Sequence, residues 1–169
     1  MNYIKQLEPS DLFNLDLINL DKFSESFHFD YYLFYLLNHS EDCFCIFKDN
    51  KPVGYILSKL ERKNNINSNH LSAISIAPAF RRFHFGSALM NIFENNGNFY
   101  FCKFADLFVR KNNISAINFY TKLGYNVYRV VKKYYNDEED AYDMRKSLMH
   151  DKEKEFSKRG CDIHCNDLD

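Results

Sequence analysis

The 169-residue sequence has no tryptophan, few glycines and prolines, and no excess of either charge. Lysine and arginine number 22 and aspartate and glutamate 23, which argues against a broad nucleic-acid-binding surface but allows a local basic pocket. No apolar run approaches the roughly 20 residues of a membrane span. The opening MNYIKQLEPSD also lacks the long apolar core of a signal peptide. We therefore expect no direct contact with nucleic acid and no membrane insertion.

Five cysteines, an odd number without a secretory signal, are typical of reduced thiols and predict a cytoplasmic protein. Cys43 and Cys45 share one face of a predicted strand, but no further cysteine or histidine pair completes a metal site. The segment CDIHC, from Cys161 to Cys165, offers soft ligands in a polar region with no apolar pattern to hold it. We expect no metal ion.

Apolar periodicity predicts one strand, two helices, a hairpin, a strand, a helix, a strand, a helix and a closing pair of strands. The first of these helices is expected in DLFNLDLINLDKF, residues 11–23. This order indicates an α/β fold with a central mixed, mostly antiparallel sheet and helices on both faces. The apolar pattern fades after residue 149. Residues 1–149 are therefore predicted to form one domain, and residues 150–169 a polar, flexible tail.

The segment SIAPAFRRFHFGSALM, residues 75–90, combines a strand end, a proline, two arginines and a helix start. Loop amides and a helix N-terminus converge there, and the helix dipole adds roughly half a positive charge. Arg81 and Arg82 add permanent charge suited to a diphosphate; the alternative is two solvated arginines on an exposed turn. His84 stands where phosphate-wrapping loops usually have glycine, and its Cβ disfavours a positive φ.

A second segment, LFVRKNNISAINFYTKLGY, gives a strand and then an amphipathic helix with Tyr120 near its end. Together with RR-x-H-x-G-S-A-L-M it resembles the Gcn5-related N-acetyltransferases (GNAT), whose acetyl-CoA loop reads R-x-x-G-x-A or G. The segments NLDKFSESF, HLSAISIAPAFRR and EDAYDMRKSL extend the resemblance, over roughly residues 1–150, to the catalytic subunits of NatB-type N-terminal acetyltransferases. The resemblance implies transfer of an acetyl group to proteins that begin Met-Asp, Met-Glu, Met-Asn or Met-Gln.

The resemblance also implies acetyl-CoA as co-substrate, without a metal. The residues expected to bind it are Ile74, Ile76, Arg81, Arg82, His84, Phe85, Gly86, Ser87, Asn113 and Tyr120. The expected catalytic groups are Tyr120 beside the thioester sulfur, Glu25 at the substrate amine, and the backbone of Ile76 at the thioester carbonyl. His84 departs from the glycine of the family, and we expect it to affect acetyl-CoA affinity but not the fold.

A peptide groove is implied as well, lined by Glu25, Phe27, Tyr55, His70, Ser72, Tyr134 and Tyr135. His70 and Ser72 stand two apart on a strand, so they share a face and could donate to the side chain at substrate position two. By the same alternation Tyr134 and Tyr135 point to opposite faces, so only one of them is expected to reach the peptide deeply.

The partners implied are a nascent or N-terminal peptide and a large helical auxiliary subunit through which the enzyme associates with the ribosome. The first predicted helix agrees with such a subunit, because apolar residues lie on more than one of its sides. These residues are Phe13, Leu17 and Leu20 on one stripe and Leu12, Leu15 and Ile18 around it. Two alternatives stay open: an acetyltransferase for other N-termini, lysine side chains or small amines, and a non-catalytic binding partner with the same fold.

Overall fold

The structure, a computed structural model, describes residues 1–15, 18–20 and 27–168. Its strands are β1 (Asn2–Gln6), β2 (Cys43–Lys48), β3 (Lys51–Lys63), β4 (Ile66–Ile76), β5 (Phe104–Arg110), β6 (Asn126–Tyr135), β7 (Glu139–Ser147) and β8 (Ile163–His164). Its α-helices are α1 (Phe29–Asn38), α2 (Phe85–Phe99) and α3 (Ile114–Lys122). Short 3-10 helices cover Pro9–Asn14, Ser40–Asp42, Pro78–Phe80, Glu155–Ser157 and Cys165–Asp167.

The strands belong to one sheet in the order β1-β2-β3-β4-β5-β7-β6-β8. The pairs β1–β2, β2–β3, β5–β7 and β6–β7 are antiparallel, whereas β6 and β8 are parallel. Consecutive strands joined by short turns pair antiparallel, which explains hairpins such as β2–β3 and β6–β7. The predicted mixed sheet with helices is thereby confirmed.

The first predicted helix, over residues 11–23, is wrong in type and extent. The described part is the 3-10 helix Pro9–Asn14, extended by hydrogen bonds from Leu15 N to Leu12 O (3.5 Å) and from Ile18 N to Leu15 O (3.0 Å). Leu12, Leu15 and Ile18 are buried and stand three residues apart. This spacing matches the three residues per turn of a 3-10 helix, so one face enters the core without an α-helix.

The chain divides into two structural units. The N-terminal unit consists of Met1–Leu60 and Leu71–Asn96, and the C-terminal unit of Glu61–His70 and Gly97–Asp169. The domain boundary predicted at residue 149 stays a prediction. In the N-terminal unit, aromatic residues of α1 and β3 pack with apolar residues of β2 to form the core, with members that include Tyr32, Tyr35, Tyr55, Leu57 and Cys45.

Residues 150–168 of the C-terminal unit carry regular structure where the sequence predicts a flexible tail. The buried Asp151 accepts hydrogen bonds from Ser147 Oγ (2.6 Å) and from the backbone N–H groups of Glu155 and Phe156 (both 3.1 Å). The ring of Phe156 stacks on Phe104 at 5.1 Å. This segment is organised by single polar contacts, and such contacts leave no periodic apolar pattern in the sequence.

None of the helices in the described residues is both long enough and apolar enough to cross a membrane.

Candidate active site

The loop between the 3-10 helix Pro78–Phe80 and α2 has an unusual backbone. Arg82 and His84 adopt left-handed conformations, with φ of 64° and 62°. The carbonyl of His84 accepts the hydrogen bond of Ala88 N (3.0 Å), so the first turn of α2 begins directly after this loop. Left-handed residues at such short spacing form concavities whose N–H groups bind anions, and the helix dipole adds to the attraction. This backbone is compatible with the predicted diphosphate site, which stays a prediction.

Arginine charge is held beside this concavity. Arg81 and Arg82 are exposed, and Arg81 Nε donates to the carbonyl of Ile76 at 3.0 Å, which ties the arginine to the end of β4. Lys48, which sequence analysis did not identify, places its ammonium 5.3 Å from the Phe80 ring and 5.0 Å from the Phe83 ring. No local pattern indicates Lys48, because it belongs to β2 and is more than 30 residues away along the chain.

Replacing both Arg81 and Arg82 with alanine is expected to raise the Kd for acetyl-CoA at least about tenfold, because each charge-assisted hydrogen bond contributes roughly 1.5 kcal/mol. Isothermal titration calorimetry measures this change. Arg62→Ala, which removes an exposed arginine near the β3–β4 turn, serves as the control and is expected to leave the Kd unchanged. An unchanged Kd in the double variant would show that the two arginines lie on a solvated turn and do not bind acetyl-CoA.

His84→Gly is expected to raise the free energy of unfolding by about 1 kcal/mol, because a left-handed residue with a Cβ is strained and glycine is not. Acetyl-CoA is expected to bind equally well or more tightly. Chemical denaturation and calorimetry measure the two effects. His84→Ala is the matched control, since it removes the ring and keeps the Cβ. A large loss of affinity in both variants would identify the imidazole itself as a ligand.

The end of β4 is held by a close approach of β3. A Cβ built on Gly54 would lie 2.9 Å from the carbonyl oxygen of Ser75 and 2.3 Å from Ile76 Cδ1. Glycine is therefore required at position 54 for β4 to keep its path. The predicted acetyl-CoA residues of this unit, Ile74, Ile76, Arg81, Arg82, His84, Phe85, Gly86 and Ser87, form one continuous stretch from β4 to the first turn of α2.

The N-terminal unit also contains an aromatic wall formed by α1 and Phe27, which stands two residues before this helix. The Phe27 ring stacks on Tyr31 at 4.2 Å, and Tyr31 lies 5.1 Å from Tyr35. Tyr35 Oη donates to Ser72 Oγ at 2.5 Å, so the proton of Ser72 is left to be directed at another acceptor. Phe27 and Ser72 were predicted from the sequence as site residues, but Tyr31 and Tyr35 were not. The spacing of four residues between Tyr31 and Tyr35 indicates a shared helix face.

Tyr55 does not line an open groove, in contrast to the prediction. It is 1% exposed, donates to Asn19 Oδ1 at 3.0 Å and accepts from Tyr32 Oη at 3.2 Å. Asn19 Nδ2 in turn donates to Tyr32 Oη at 3.0 Å, which closes a ring of three hydrogen bonds. Burial raises the pKa of Tyr55. In this core position the Tyr55 ring packs 5.7 Å from the ring of Tyr32 of α1.

In the C-terminal unit, His70 is paired with a carboxylate. His70 Nδ1 lies 3.0 Å from Asp106 Oδ2, and the His70 ring lies 5.6 Å from the ring of Phe108. Phe108 also lies 4.6 Å from the ring of Tyr134, so it joins two predicted peptide-binding residues. Neither Asp106 nor Phe108 was predicted from the sequence as a site residue. Their alternation on β5 indicates a common face but not which residues they meet.

Tyr134 and Tyr135 do not point to opposite faces as predicted. Their rings lie 4.9 Å apart, edge to face, and Tyr135 Oη donates to the carbonyl of Phe108 at 3.3 Å. The cause is an irregularity in β6: its register with β7 shifts between Val131 and Tyr135, and Lys133 has a φ of 56°. Such a bulge breaks the alternation on which the prediction depended.

The two predicted residues of α3 have different environments. Asn113 caps the helix, because its Oδ1 accepts from Ala116 N at 3.2 Å. Tyr120 is buried and packs 6.1 Å from the ring of Tyr125. Burial raises the pKa of Tyr120, so its hydroxyl stays protonated at neutral pH and can act as a hydrogen-bond donor.

Glu25 lies outside the described residues, so its catalytic and peptide-binding roles stay predictions. Within the described ranges, no group of three or more His, Cys, Asp or Glu side chains is placed to hold a metal ion.

Comparisons with known proteins agree with this geometry. The chain matches the acetyltransferase (GNAT) family over residues 9–125. It is 43% identical over 161 residues to N-alpha-acetyltransferase 20 of Dictyostelium discoideum, covering 91% of this chain and 90% of the relative. It is 36% identical over 177 residues to the N-terminal acetyltransferase B complex catalytic subunit of Schizosaccharomyces pombe, covering 100% of this chain and 98% of the relative.

Solved structures show the same likeness. Chaetomium thermophilum Naa20 in complex with a bisubstrate analogue superimposes with a TM-score of 0.90 at 32% identity, over 97% of each chain. The NatB acetyltransferase complex bound to CoA and MES gives a TM-score of 0.80 at 32% identity, over 86% of this chain and 99% of that one.

The chain therefore belongs to the acetyltransferase (GNAT) family. Within that family it groups with the catalytic subunits of N-terminal acetyltransferase B complexes, and its class is that of the N-terminal acetyltransferases. The resemblance inferred from the sequence is thereby confirmed.

Proposed function

We propose that this chain transfers the acetyl group of acetyl-CoA to the N-terminal α-amine of proteins that begin Met-Asp, Met-Glu, Met-Asn or Met-Gln. In this proposal it acts as the catalytic subunit of a NatB-type complex in the cytoplasm. The likeness to N-alpha-acetyltransferase 20 and to the catalytic subunit of an N-terminal acetyltransferase B complex supports the proposal. One similar solved structure is a NatB complex bound to CoA.

The observation that carries acetyl-CoA binding is the loop before α2. Its left-handed residues Arg82 and His84, the N-terminus of a 15-residue helix and two exposed arginines provide both backbone donors and charge for a diphosphate. The backbone of Ile74 and Ile76, at the preceding strand end, is proposed to take the pantetheine arm and the thioester carbonyl. Asn113 is proposed to contact the pantetheine side as well as capping α3.

Acyl transfer from a thioester to an amine requires a deprotonated amine, a donor for the oxyanion and a donor for the departing thiolate. A free α-amine has a pKa near 7.7 to 8.0, so a mild base such as Glu25 or a water relay is sufficient. Tyr120, buried and protonated, is proposed to donate to the thiolate. The backbone N–H of Ile76 is proposed to face the oxyanion.

The side chains proposed to select the peptide are of two kinds. Phe27, stacked on Tyr31, offers an apolar surface to the initiator methionine, whose unbranched side chain adapts to irregular pockets. His70, Ser72 and the hydroxyls of Tyr134 and Tyr135 offer hydrogen bonds to the second residue. His70 and Ser72 are each held by a protein partner, Asp106 and Tyr35 respectively, which fixes their direction.

A large auxiliary subunit is the proposed partner, and ribosome association is proposed to run through it. Exposed apolar side chains of the N-terminal unit support this: Phe13 and Phe29 contact at 5.8 Å, and Phe34 and Leu37 of α1 are 52% and 82% exposed. The opposite side of the same segments, with Leu12 and Tyr35, is buried. Leu17, predicted on one stripe with Phe13 and Leu20, lies outside the described residues.

Replacing Phe34 and Leu37 with serine is expected to weaken association with the auxiliary subunit at least about tenfold, because two large apolar side chains would lose their burial on binding. Co-purification and analytical ultracentrifugation measure the complex. Phe99→Ser, an exposed phenylalanine of the C-terminal unit (73% exposed), is the control and should leave it intact. Full peptide acetylation by a monomer of the double variant would argue against an obligate partner.

The activity is tested by incubating the chain, alone and with a co-purified partner, with acetyl-CoA and a Met-Asp peptide. Mass spectrometry is expected to show one added acetyl group on the α-amine. The same peptide with a blocked N-terminus and an internal lysine is the control and should stay unmodified. Acetylation of the lysine, or of no peptide in either preparation, would reject the proposal.

A further inference from the structure

The buried carboxylate that holds the direction of His70 lies on β5, and one of its two oxygens has no hydrogen-bond partner among the described residues. Asp106 is 7% exposed, and its Oδ2 lies 3.0 Å from His70 Nδ1. Its other oxygen, Oδ1, is buried and has no hydrogen-bond partner among the residues that the structure describes. A carboxylate retained for stability normally has both oxygens bonded, because a buried polar atom without a partner destabilises the fold. Asp106 is therefore better explained by what it does to His70.

The arginines near Asp106 donate their hydrogen bonds to a different carboxylate. Arg145 stands directly opposite Asp106 on β7, yet its Nε and Nη2 donate to Asp143, both at 3.0 Å. Asp143 also accepts from Arg129 Nε at 2.8 Å, so the two arginines share one buried carboxylate. Among the described residues, the Asp106 carboxylate is therefore hydrogen-bonded to His70 and not to Arg145.

The hydrogen bond also defines where the proton of His70 lies. An ionised carboxylate only accepts hydrogen bonds, so Nδ1 carries the shared proton. The His70 side chain is 13% exposed and packs against the Phe108 ring at an angle of 54°. Packing and hydrogen bond together hold the ring in one orientation, with Nε2 on the side away from the carboxylate.

We propose that Asp106 is a positioning residue that fixes the orientation and tautomer of His70, and through them the balance between acidic and amide side chains at substrate position two. The inference rests on the proposed function, in which His70 faces that side chain. With Nδ1 committed to Asp106, Nε2 is the nitrogen that meets the substrate.

The two forms of the ring then serve two kinds of substrate. With a proton on Nε2, the imidazolium is balanced by Asp106 and donates to the carboxylate of Asp or Glu in a charge-assisted bond. Without that proton, Nε2 accepts from the amide NH₂ of Asn or Gln. Asp106→Asn keeps the shape of the side chain but removes the balancing charge, and an amide can pair with either tautomer. Acidic substrates are therefore the ones that depend on Asp106.

The test combines kinetics with nitrogen-15 NMR of the imidazole rings, His70 being assigned by its absence in His70→Gln. In the unaltered protein the spectrum is expected to show a protonated Nδ1. In Asp106→Asn the spectrum should no longer show a single protonated Nδ1 state. The kcat/KM for a Met-Asp peptide should fall roughly ten- to hundredfold, mainly because KM rises. The kcat/KM for a Met-Asn peptide should fall less than about threefold. Asp106→Glu, which retains the carboxylate, should restore most of the Met-Asp activity.

Two controls separate positioning from folding. Asp151→Asn alters another buried aspartate of the same unit and should lower the melting temperature without changing the ratio of the two peptides. In a His70→Ala background, Asp106→Asn should have no further effect on that ratio, because Asp106 acts only through His70.

An equal loss on both peptides in Asp106→Asn, or an unchanged His70 spectrum, would overturn the inference. If the unaltered protein acetylates neither peptide faster than Met-Leu, the proposed specificity fails and the substrate part of the inference fails with it. The NMR result still decides in that case whether Asp106 sets the tautomer of His70.

Discussion

Replacing Tyr120 with phenylalanine is expected to lower kcat by roughly ten- to thousandfold while the protein stays folded. The substitution keeps the ring and its packing near Phe119 and Tyr125 and removes only the hydroxyl. The departing thiolate then develops its negative charge without a donor, in surroundings apolar enough to bury the tyrosine. Each tenfold loss corresponds to about 1.4 kcal/mol of transition-state stabilisation.

The pH dependence distinguishes the possible roles of this hydroxyl. Burial raises the pKa of Tyr120, so the neutral, hydrogen-bond-donating form persists through the neutral and mildly alkaline range. A donor role therefore predicts the same fold-loss in the variant at every pH in that range. A general base, by contrast, would have to lose its proton first, and kcat of the unaltered enzyme would keep rising with pH.

Tyr125→Phe is the matched control, because it removes the hydroxyl of another buried tyrosine of the same unit. Its kcat is expected to stay within about twofold of the unaltered enzyme. Circular dichroism and thermal denaturation verify folding, and steady-state assays with saturating acetyl-CoA give kcat. A Tyr120→Phe enzyme that retains kcat within the same limit would show that the thiolate receives its proton from another group.

Peptides that begin Met-Asp, Met-Glu, Met-Asn or Met-Gln are expected to be acetylated roughly five- to 150-fold more efficiently than those that begin Met-Leu, Met-Lys or Ser. All four preferred second residues carry an acceptor oxygen for the hydrogen-bonding groups of His70 and Ser72. Leucine or lysine would leave those groups without a partner in a desolvated site, which costs about 1 to 3 kcal/mol. Values of kcat/KM over such a panel measure the difference.

His70→Ala should narrow this gap mainly by slowing the preferred peptides, since the other peptides make no use of the imidazole. His150→Ala is the control: this histidine of the same unit contacts the Phe101 ring at 4.9 Å and the carbonyl of Asn98. It should leave the ranking of the panel unchanged. If Ser or Met-Leu peptides rank first, the NatB specificity is wrong, although the family assignment stands.

Local patterns in the sequence were sufficient for the class of fold and for a hypothesis about an anion site. Apolar alternation and helical spacing predicted the order of β1 to β7 and of α1 to α3, although they gave an α-helix where Pro9–Asn14 is a 3-10 helix. The two arginines before a helix predicted an anion site. Both are properties of neighbouring residues, so they can be read along the chain. The sequence also drew attention to His84, whose Cβ disfavours a positive φ, and the structure shows a φ of 62° there.

Tertiary structure alone decided which groups hold the predicted side chains. His70 meets Asp106, 36 residues away, and Ser72 meets Tyr35, 37 residues away. A hydrogen bond between distant residues requires only that the fold bring two atoms together, and it leaves no periodic trace in either segment. The contact between Tyr134 and Tyr135 depends likewise on a bulge in β6, which an alternating pattern of side chains does not reveal.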